Sequence, residues 1–207
     1  LAVYATSMNF TILEISIVTF LLAVSGAVSQ FPIGKISDMY DRRKVIVFST
    51  FGASIFAILA VLVSRQMYLP DGLATSKTWF YIFLILFFFC SLPMFSLILA
   101  HTNDYIPKEK FVAAGAGLQF VFGLGAMSGP FLCSIFMDLV GSNGFFIFLF
   151  FFHAVIGIFG VYRMKIRKTI DNPDSQFVAM PQTITPAGIE LKPTTEPIEE
   201  PIKEEEK

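Results

Sequence analysis

The chain reads ISIVTFLLAVSGAVSQFPIG over residues 15–34 and VIVFSTFGASIFAILAVLVS over residues 45–64, with KISDMYDRRK between them. Neither apolar run contains Asp, Glu, Lys or Arg, and each has the length of about 20 helical residues that crosses a hydrocarbon core. Because lipid offers no hydrogen-bond partners, each run must satisfy its own backbone, and both are too long and too uniformly apolar for barrel strands. The stretch therefore predicts two transmembrane helices joined by a short charged loop.

The same pattern continues along the chain. Residues 78–103, 111–137 and 139–162 are also free of acidic and basic side chains. Residues 1–13 are apolar but too short to cross a bilayer, so they are interpreted as the end of a sixth helix whose start is missing. We expect an all-α, polytopic membrane domain over residues 1–168, with five complete helices and the end of a truncated one.

The composition excludes several classes of protein. The chain is 55% hydrophobic and only 15% charged, which nearly excludes a soluble enzyme. No basic face for nucleic acid is present, so no nucleic-acid partner is expected. Cys90 and Cys133 lie in apolar runs without metal-ligand spacing, and no phosphate loop or nucleophile motif occurs. We therefore expect no metal, no cofactor and no enzymatic activity.

Lys and Arg fall mainly in alternate connections. They are concentrated in residues 35–44, 104–110 and 163–168, whereas the other side carries only Arg65 and Lys77. By the positive-inside rule, the three basic connections are predicted to be cytoplasmic.

The end of the chain differs in composition. Residues 171–207 carry three Lys against nine Asp and Glu, whereas residues 1–170 carry twelve Lys and Arg against seven. Six of the eleven prolines also lie after Asn172. Residues 169–207 are predicted to be a disordered, acidic, cytoplasmic tail, because such a composition cannot bury enough apolar surface to fold alone. Either an inert extension or a docking and regulatory role is compatible with it.

The loop after the first complete span, QFPIGKISDMYDRRKVIVF at residues 30–48, resembles the signature loop of the major facilitator superfamily. Two positions depart from the family's pattern: Met39 replaces a basic residue and Asp41 replaces a glycine. The positions that fit are Gly34, Ile36, Ser37, Asp38, Tyr40, Arg42, Arg43 and Lys44.

The physical chemistry of this loop suggests a gate. Gly34 allows a sharp turn at the membrane face, and Asp38 can accept backbone N–H groups at the start of a helix. Arg42 and Arg43 can pair with that carboxylate or with a facing acidic residue. The resemblance implies a latch between two helical bundles, made when the cytoplasmic side is closed. The alternative is that these charges, Arg43 and Lys44 especially, only anchor the loop by the positive-inside rule.

A second string, GAGLQFVFGLGAMSGPF at residues 115–131, resembles the fifth helix of a six-helix half in the same superfamily. Gly125 and Gly129 are four residues apart, so they share a helix face on which another helix can approach closely. Pro130 is expected to bend the helix.

The strings GAVSQFPIGKISD, SLILAHTND and GVYRMK look like the C-terminal half of bacterial YcaD-like transporters of this superfamily. The resemblance implies a fragment of a secondary active transporter in the bacterial inner membrane, whose partners are the lipid bilayer, a missing N-terminal six-helix half and an unidentified small solute. Transport would follow alternating access, driven by an ion gradient. The alternatives are a non-transporting scaffold or sensor of the same fold, and an inactive partial reading frame.

In this superfamily the first, second, fourth and fifth helices of each half line the cavity, and the third and sixth face lipid. This implies that Gln119, Asn103, Ser96 and the bend at Pro93 could contact substrate. Structural roles are the alternatives: an interhelical hydrogen bond for Gln119 and a plain kink for Pro93. His101 could act in coupling or lie at the membrane boundary, and His153 is expected to face lipid or its own half. The cavity-lining helices carry no acidic or basic side chain at mid-membrane, so the coupling ion is unassigned.

Overall fold

The computed structural model describes residues 2–8, 10–66, 73–167, 177 and 179. This part of the chain is helical, and no strand occurs in it. The α-helices are α1 (Ala2–Ser7), α2 (Ile12–Met39), α3 (Arg42–Gln66), α4 (Leu73–Ser91), α5 (Met94–Asn103), α6 (Phe111–Val140) and α7 (Gly144–Ile166), and a 3₁₀ turn covers Lys108–Lys110.

Five helical stretches are long and apolar enough to cross a membrane. They are α2, Arg42–Arg65 of α3, Ser76–Asn103 across α4 and α5, α6, and α7. The six-residue α1 precedes them. The predicted all-α, polytopic fold class is therefore confirmed.

The first long helix begins at a capping box. Thr11 Oγ1 accepts a hydrogen bond from the Glu14 amide at 3.2 Å, and Glu14 Oε2 accepts one from the Thr11 amide at 2.8 Å. These two bonds satisfy backbone donors that have no partner within the helix. The helix consequently starts at Ile12, ahead of the charge-free run that begins at residue 15.

The fourth span is interrupted at Pro93, where the sequence analysis expects a bend. The helix α4 ends at Ser91 and α5 begins at Met94. Pro93 has no N–H to donate to the carbonyl of Phe89, so the hydrogen-bond ladder is broken there. Pro93 is fully buried, and Leu97 restarts the ladder by donating to its carbonyl at 3.0 Å.

Helix α3 lies at the centre of the bundle, between α4 and α7. Ala53, Ala57 and Ala60 on α3 are completely buried. Their spacing puts these small side chains on one side of the helix, where they let a neighbouring helix approach closely. Of the five stretches able to span a membrane, the one in α3 is therefore the most buried.

The α2–α3 connection, the loop between α5 and α6, and the end of α7 lie together at one end of the bundle, called the basic end here. Two contacts establish this: Arg42 Nη1 lies 2.8 Å from Asp104 Oδ2, and Arg43 Nη1 donates to the carbonyl of Arg167 at 2.8 Å. The three connections that are rich in Lys and Arg thus share one side of the fold.

The opposite end is held by separate polar contacts. Lys77 Nζ on α4 lies 2.9 Å from Glu14 Oε1 on α2, and Ser64 Oγ on α3 donates to Asn143 Oδ1 at 2.8 Å. An aromatic cluster around Tyr4 lies next to these contacts, with the Tyr4 and Phe146 rings 4.9 Å apart.

Helix α6 is the least covered helix. Gly115 is its only buried residue, and large apolar side chains such as Phe120 and Met127 are exposed. A Cβ added at Gly125 or Gly129 would meet no atom of the described residues within 4 Å. The helix also runs unbroken through Pro130. Any helix that packs against Gly125 and Gly129 would therefore have to come from outside the described residues.

Candidate gate at the basic end

The side chain of Arg42 is the centre of the candidate site. Although it is the first residue of α3, only 7% of it is exposed. Its Nη1 donates to both carboxylate oxygens of Asp104, at 2.9 and 2.8 Å, and its Nη2 donates to Asp38 Oδ1 at 3.1 Å. Its Nε donates to Ser37 Oγ at 3.0 Å. Ser37, Asp38, Arg42 and Asp104 are called the Arg42 cluster below.

The cluster joins three helices. Ser37 and Asp38 lie in the last turn of α2, Arg42 opens α3, and Asp104 follows α5 directly. An arginine suits this position because its planar guanidinium can donate to several acceptors at fixed angles. The cluster therefore ties the end of α2 and the start of α3 to the end of α5.

The balance of charge in the cluster explains why these partners are needed. A cation at the start of a helix is opposed by the helix dipole, and burial adds a desolvation cost. Two carboxylates offset both effects for Arg42. Asp104 is the better covered of the two, at 13% exposed against 33% for Asp38, so its contact with Arg42 is less screened by solvent.

Asp41, where the family's pattern has a glycine, directly precedes α3. Its Oδ1 accepts from the Arg43 amide at 3.0 Å, as an N-cap carboxylate does. The same carboxylate pairs with the Arg43 side chain, with Oδ2 2.8 Å from Nη2. The departure at Asp41 therefore has a local structural role, and it turns Arg43 toward α7 rather than toward Asp38.

Phe177 also contacts the cluster. Its backbone N–H donates to Asp38 Oδ1 at 2.6 Å. Its ring packs with Ile33, Val45 and Leu97 near the basic end. A Cβ on Gly34 would clash with that ring, so this close contact requires glycine at position 34.

The structure brings some of the predicted gate residues together and separates others. Asp38 and Arg42 are paired, and Gly34 lies near them beneath Phe177. Arg43 instead belongs to the Asp41 pair. The resemblance implies ion pairs that depend on two bundles, whereas the pairs described here all form within this chain.

Two residues of the site received no role in the sequence analysis. Asp104 ends the quoted string SLILAHTND, and its position in a basic connection could have identified it as a counter-ion for an arginine. Phe177 lies in a tail whose composition predicts disorder. Most of residues 169–207 lie outside the described part of the chain; Phe177 and Ala179 are described there and are not helical.

The four candidate substrate-lining residues lie on α5, on α6 and at the break between α4 and α5. Ser96 and Pro93 are buried within the helical bundle. Gln119 is half-buried on α6, and the Asn103 Oδ1 atom at the end of α5 is buried without a hydrogen-bond partner among the described residues. An unsatisfied buried carbonyl of this kind can accept a bond from a ligand or from water.

The two histidines have different environments. His153 Nδ1 lies 2.8 Å from the carbonyl of Leu149, and its Nε2 lies 3.0 Å from Ser91 Oγ. Because a carbonyl only accepts, Nδ1 must carry a proton, and a neutral ring then accepts from Ser91. This contact joins α7 to α4. His101 instead lines a cavity at the basic end, beside Tyr105.

The sequence model described as the Major Facilitator Superfamily matches residues 1–197. Relatives include the uncharacterized MFS-type transporter YfkF of Bacillus subtilis, 26% identical over 71% of this chain and 35% of its own length. The uncharacterized MFS-type transporter YE1530 of Yersinia enterocolitica is 24% identical over 77% of this chain and 37% of its own. MJ1560 of Methanocaldococcus jannaschii, also an uncharacterized MFS-type transporter, is 25% identical over 85% of this chain and 42% of its own.

The chain thus spans 35% to 42% of the length of these three relatives. No solved structure gives a significant match. The finer resemblance to YcaD-like transporters stays a prediction. The match over residues 1–197 and the five helices able to span a membrane agree with each other. The chain is a multi-pass membrane protein that belongs to the major facilitator superfamily.

Proposed function

We propose that this chain forms one six-helix half of a secondary active transporter that moves a small solute by alternating access. The observation that carries the proposal is the buried Arg42 cluster, which ties the ends of α2, α3 and α5 together at the basic end. Charge-assisted bonds of this kind are strong when water is excluded and are lost when the geometry changes, which are the properties that a gate needs.

The uncovered helix faces support a second half. Helix α2 exposes Phe20, Val24 and Phe31, and α6 exposes much of its length, including Phe120 and Met127. In a membrane these faces can contact lipid or another bundle, and the open glycines of α6 favour close helix packing. The greater length of the relatives leaves room for such a bundle. The missing N-terminal half is the partner that we propose for these faces.

The orientation follows from charge. The connections rich in Lys and Arg lie together at the basic end, so we assign this end to the cytoplasm of a bacterial inner membrane, with the tail on the same side. Opening of the Arg42 cluster would then admit solute from the cytoplasmic side. An ion gradient, of protons in the first instance, is the energy source implied by the resemblance.

Asn103, Ser96, Gln119 and Pro93 are proposed as the lining of the solute path. Asn103 has the clearest support, because its buried Oδ1 has no hydrogen-bond partner among the described residues. The break at Pro93 changes the course of the helix ahead of Ser96, which is where a polar pocket could open.

The test is flux through the full-length protein in proteoliposomes, with a panel of candidate solutes and an imposed proton gradient. Uptake that exceeds that of empty liposomes and collapses with the gradient is expected. An Asn103→Ala variant should lower uptake, whereas Thr102→Ala, which changes the neighbouring residue whose hydroxyl bonds its own helix, should not. Uptake that is indifferent to pH and membrane potential would remove the proton proposal.

The contact between Phe177 and Asp38 favours a second candidate, a sensor whose tail reports on the gate. Deletion of residues 172–207 separates the two functions. A transporter is expected to retain solute flux without the tail, whereas a sensor would lose its output.

A further inference from the structure

A cavity of about 240 Å³ opens at the basic end, among the ends of α3, α5 and α7. The residues that matter in its lining are Arg43, His101, Thr102, Tyr105, Arg163 and Arg167. Three guanidinium groups therefore face one volume. The cavity is separate from the Arg42 cluster, none of whose members lines it.

Negative side chains do not balance this charge locally. Asp41 pairs with Arg43, and both oxygens of Asp104 accept from Arg42. Among the described residues, neither Arg163 nor Arg167 takes part in an ion pair. Counting only the described residues, the three arginines of the lining and the carboxylate of Asp41 sum to a net charge of +2.

The donors in the cavity are suited to a phosphate group. Guanidinium groups bind phosphate oxygens through paired N–H donors, and they do so more readily than ammonium groups. Tyr105 adds a hydroxyl group to the lining, whereas the Thr102 hydroxyl donates to the carbonyl of Ile98.

An apolar stripe leads to the cavity along α7. Phe159, Tyr162 and Ile166 are each more than half exposed, and they flank Arg163 on the helix surface. This arrangement puts an apolar surface within the membrane and cationic groups at its edge. A phospholipid has matching parts, because its acyl chains are apolar and its phosphodiester group is negatively charged. A soluble anion would use only the cationic part.

We propose that this cavity binds the phosphodiester headgroup of an anionic phospholipid, with the acyl chains lying along the exposed stripe of α7. Basic pockets between helix ends at a cytoplasmic face recognise such headgroups. The site needs no second bundle and no transport activity, so it can be tested independently of the proposed function.

The experiment is native mass spectrometry of the detergent-solubilised full chain, titrated with phosphatidylglycerol or with phosphatidylcholine of the same acyl chains. Phosphatidylglycerol should bind more tightly. The double variant Arg163→Gln, Arg167→Gln should raise its Kd by about 25-fold, since each basic group near the headgroup contributes about a factor of five. Inorganic phosphate at millimolar concentration should not displace the lipid.

A matched control removes the same amount of charge elsewhere. The double variant Arg65→Gln, Lys165→Gln alters two exposed basic residues that do not line the cavity, and it should leave the Kd within about twofold. The variant Arg163→Lys, Arg167→Lys keeps the charge but loses the paired N–H donors, so its Kd should lie between that of the unaltered chain and that of the glutamine variant. Such a partial recovery would show that the glutamine variant failed through loss of charge rather than loss of folding.

Three results would overturn the proposal. The first is an equal loss of binding in both double glutamine variants, which would indicate a general attraction to the surface. The second is complete displacement of the lipid by inorganic phosphate, which would indicate a soluble anion. The third is lipid binding that occurs only after deletion of residues 172–207, which would identify the acidic tail as the occupant.

Discussion

Replacing Arg42 with Gln is the sharpest perturbation of the basic end. The variant keeps a polar side chain but removes the cation that lies between two carboxylates. Breaking a buried ion pair by removing one partner costs about 3 to 5 kcal/mol. The pair of Arg42 with Asp104, whose side chain is 13% exposed, falls within that range of free energy. The pair with Asp38, whose side chain is 33% exposed, adds only a small free energy because solvent screens it. We therefore expect a loss of about 3 kcal/mol, at the lower limit.

The loss should appear as local opening, because the cluster joins helix ends rather than the centre of the bundle. A change of about 3 kcal/mol corresponds to an increase of more than a hundredfold in the open population. Hydrogen–deuterium exchange followed by mass spectrometry measures this population. Peptides that cover residues 38–46 and 100–106 should exchange faster in the variant by about that factor, while peptides from residues 53–60 should not change.

The double variant Arg42→Gln, Asp104→Asn gives the internal check. Removing both partners leaves less uncompensated charge than removing one, so exchange should return part of the way toward that of the unaltered protein. Arg65→Gln, an exposed change at the opposite end, is the control. Unchanged exchange at the basic end in Arg42→Gln would contradict a stabilising role of Arg42 at these helix ends. Acceleration spread evenly over all peptides would also contradict it, because the effect would then not be local.

Three further substitutions test the contact of Phe177, the bond between Ser91 and His153, and the packing of α3. Gly34→Val should displace Phe177 and raise the exchange of peptides from the basic end by severalfold, since a Cβ there clashes with the ring; an equal effect in a Phe177→Ala background would contradict this. Ser91→Ala should lower the unfolding free energy in detergent by about 1 kcal/mol, because His153 Nε2 loses its donor, and an unchanged melting curve would show that this bond contributes nothing. Ala57→Leu should destabilise the protein by about 1 to 3 kcal/mol through overpacking of α3 against its neighbours; a variant that melts at the original temperature would show that the packing is looser than described.

Much of the fold is predictable from the chain because charge-free runs of about 20 residues leave few alternatives in lipid. The sequence also indicated the break at Pro93, since a proline inside a helix removes a donor. The exact first residues of the helices were harder to predict from the sequence. The capping box of Thr11 and Glu14 moves the start of α2 ahead of the charge-free run, because a charged residue can belong to a spanning helix at its first turn.

The site was predictable in part. The opposite charges of Asp38 and Arg42 in the same loop suggested their pairing, which the structure contains. Which of the adjacent arginines would be buried could not be inferred, because the answer depends on the rotation of α3 relative to α5 and α7. In the structure Asp41 caps α3 and pairs with Arg43, which leaves Arg42 as the buried arginine. The contact of Arg42 with Asp104 joins residues 62 positions apart, and no local pattern specifies such a distance.

If the Arg42 cluster holds the basic end closed, the part of α2 between the two bundles of the full-length protein should be poorly accessible to reagents added from the cytoplasmic side. A single cysteine at Val28, with Cys90 and Cys133 replaced by Ser, would be labelled by a membrane-impermeant thiol reagent added from the cytoplasmic side. We expect slow labelling when Arg42 is present and labelling at least about tenfold faster in Arg42→Gln, given the expected shift in the open population. Equal labelling rates in the two proteins would contradict it.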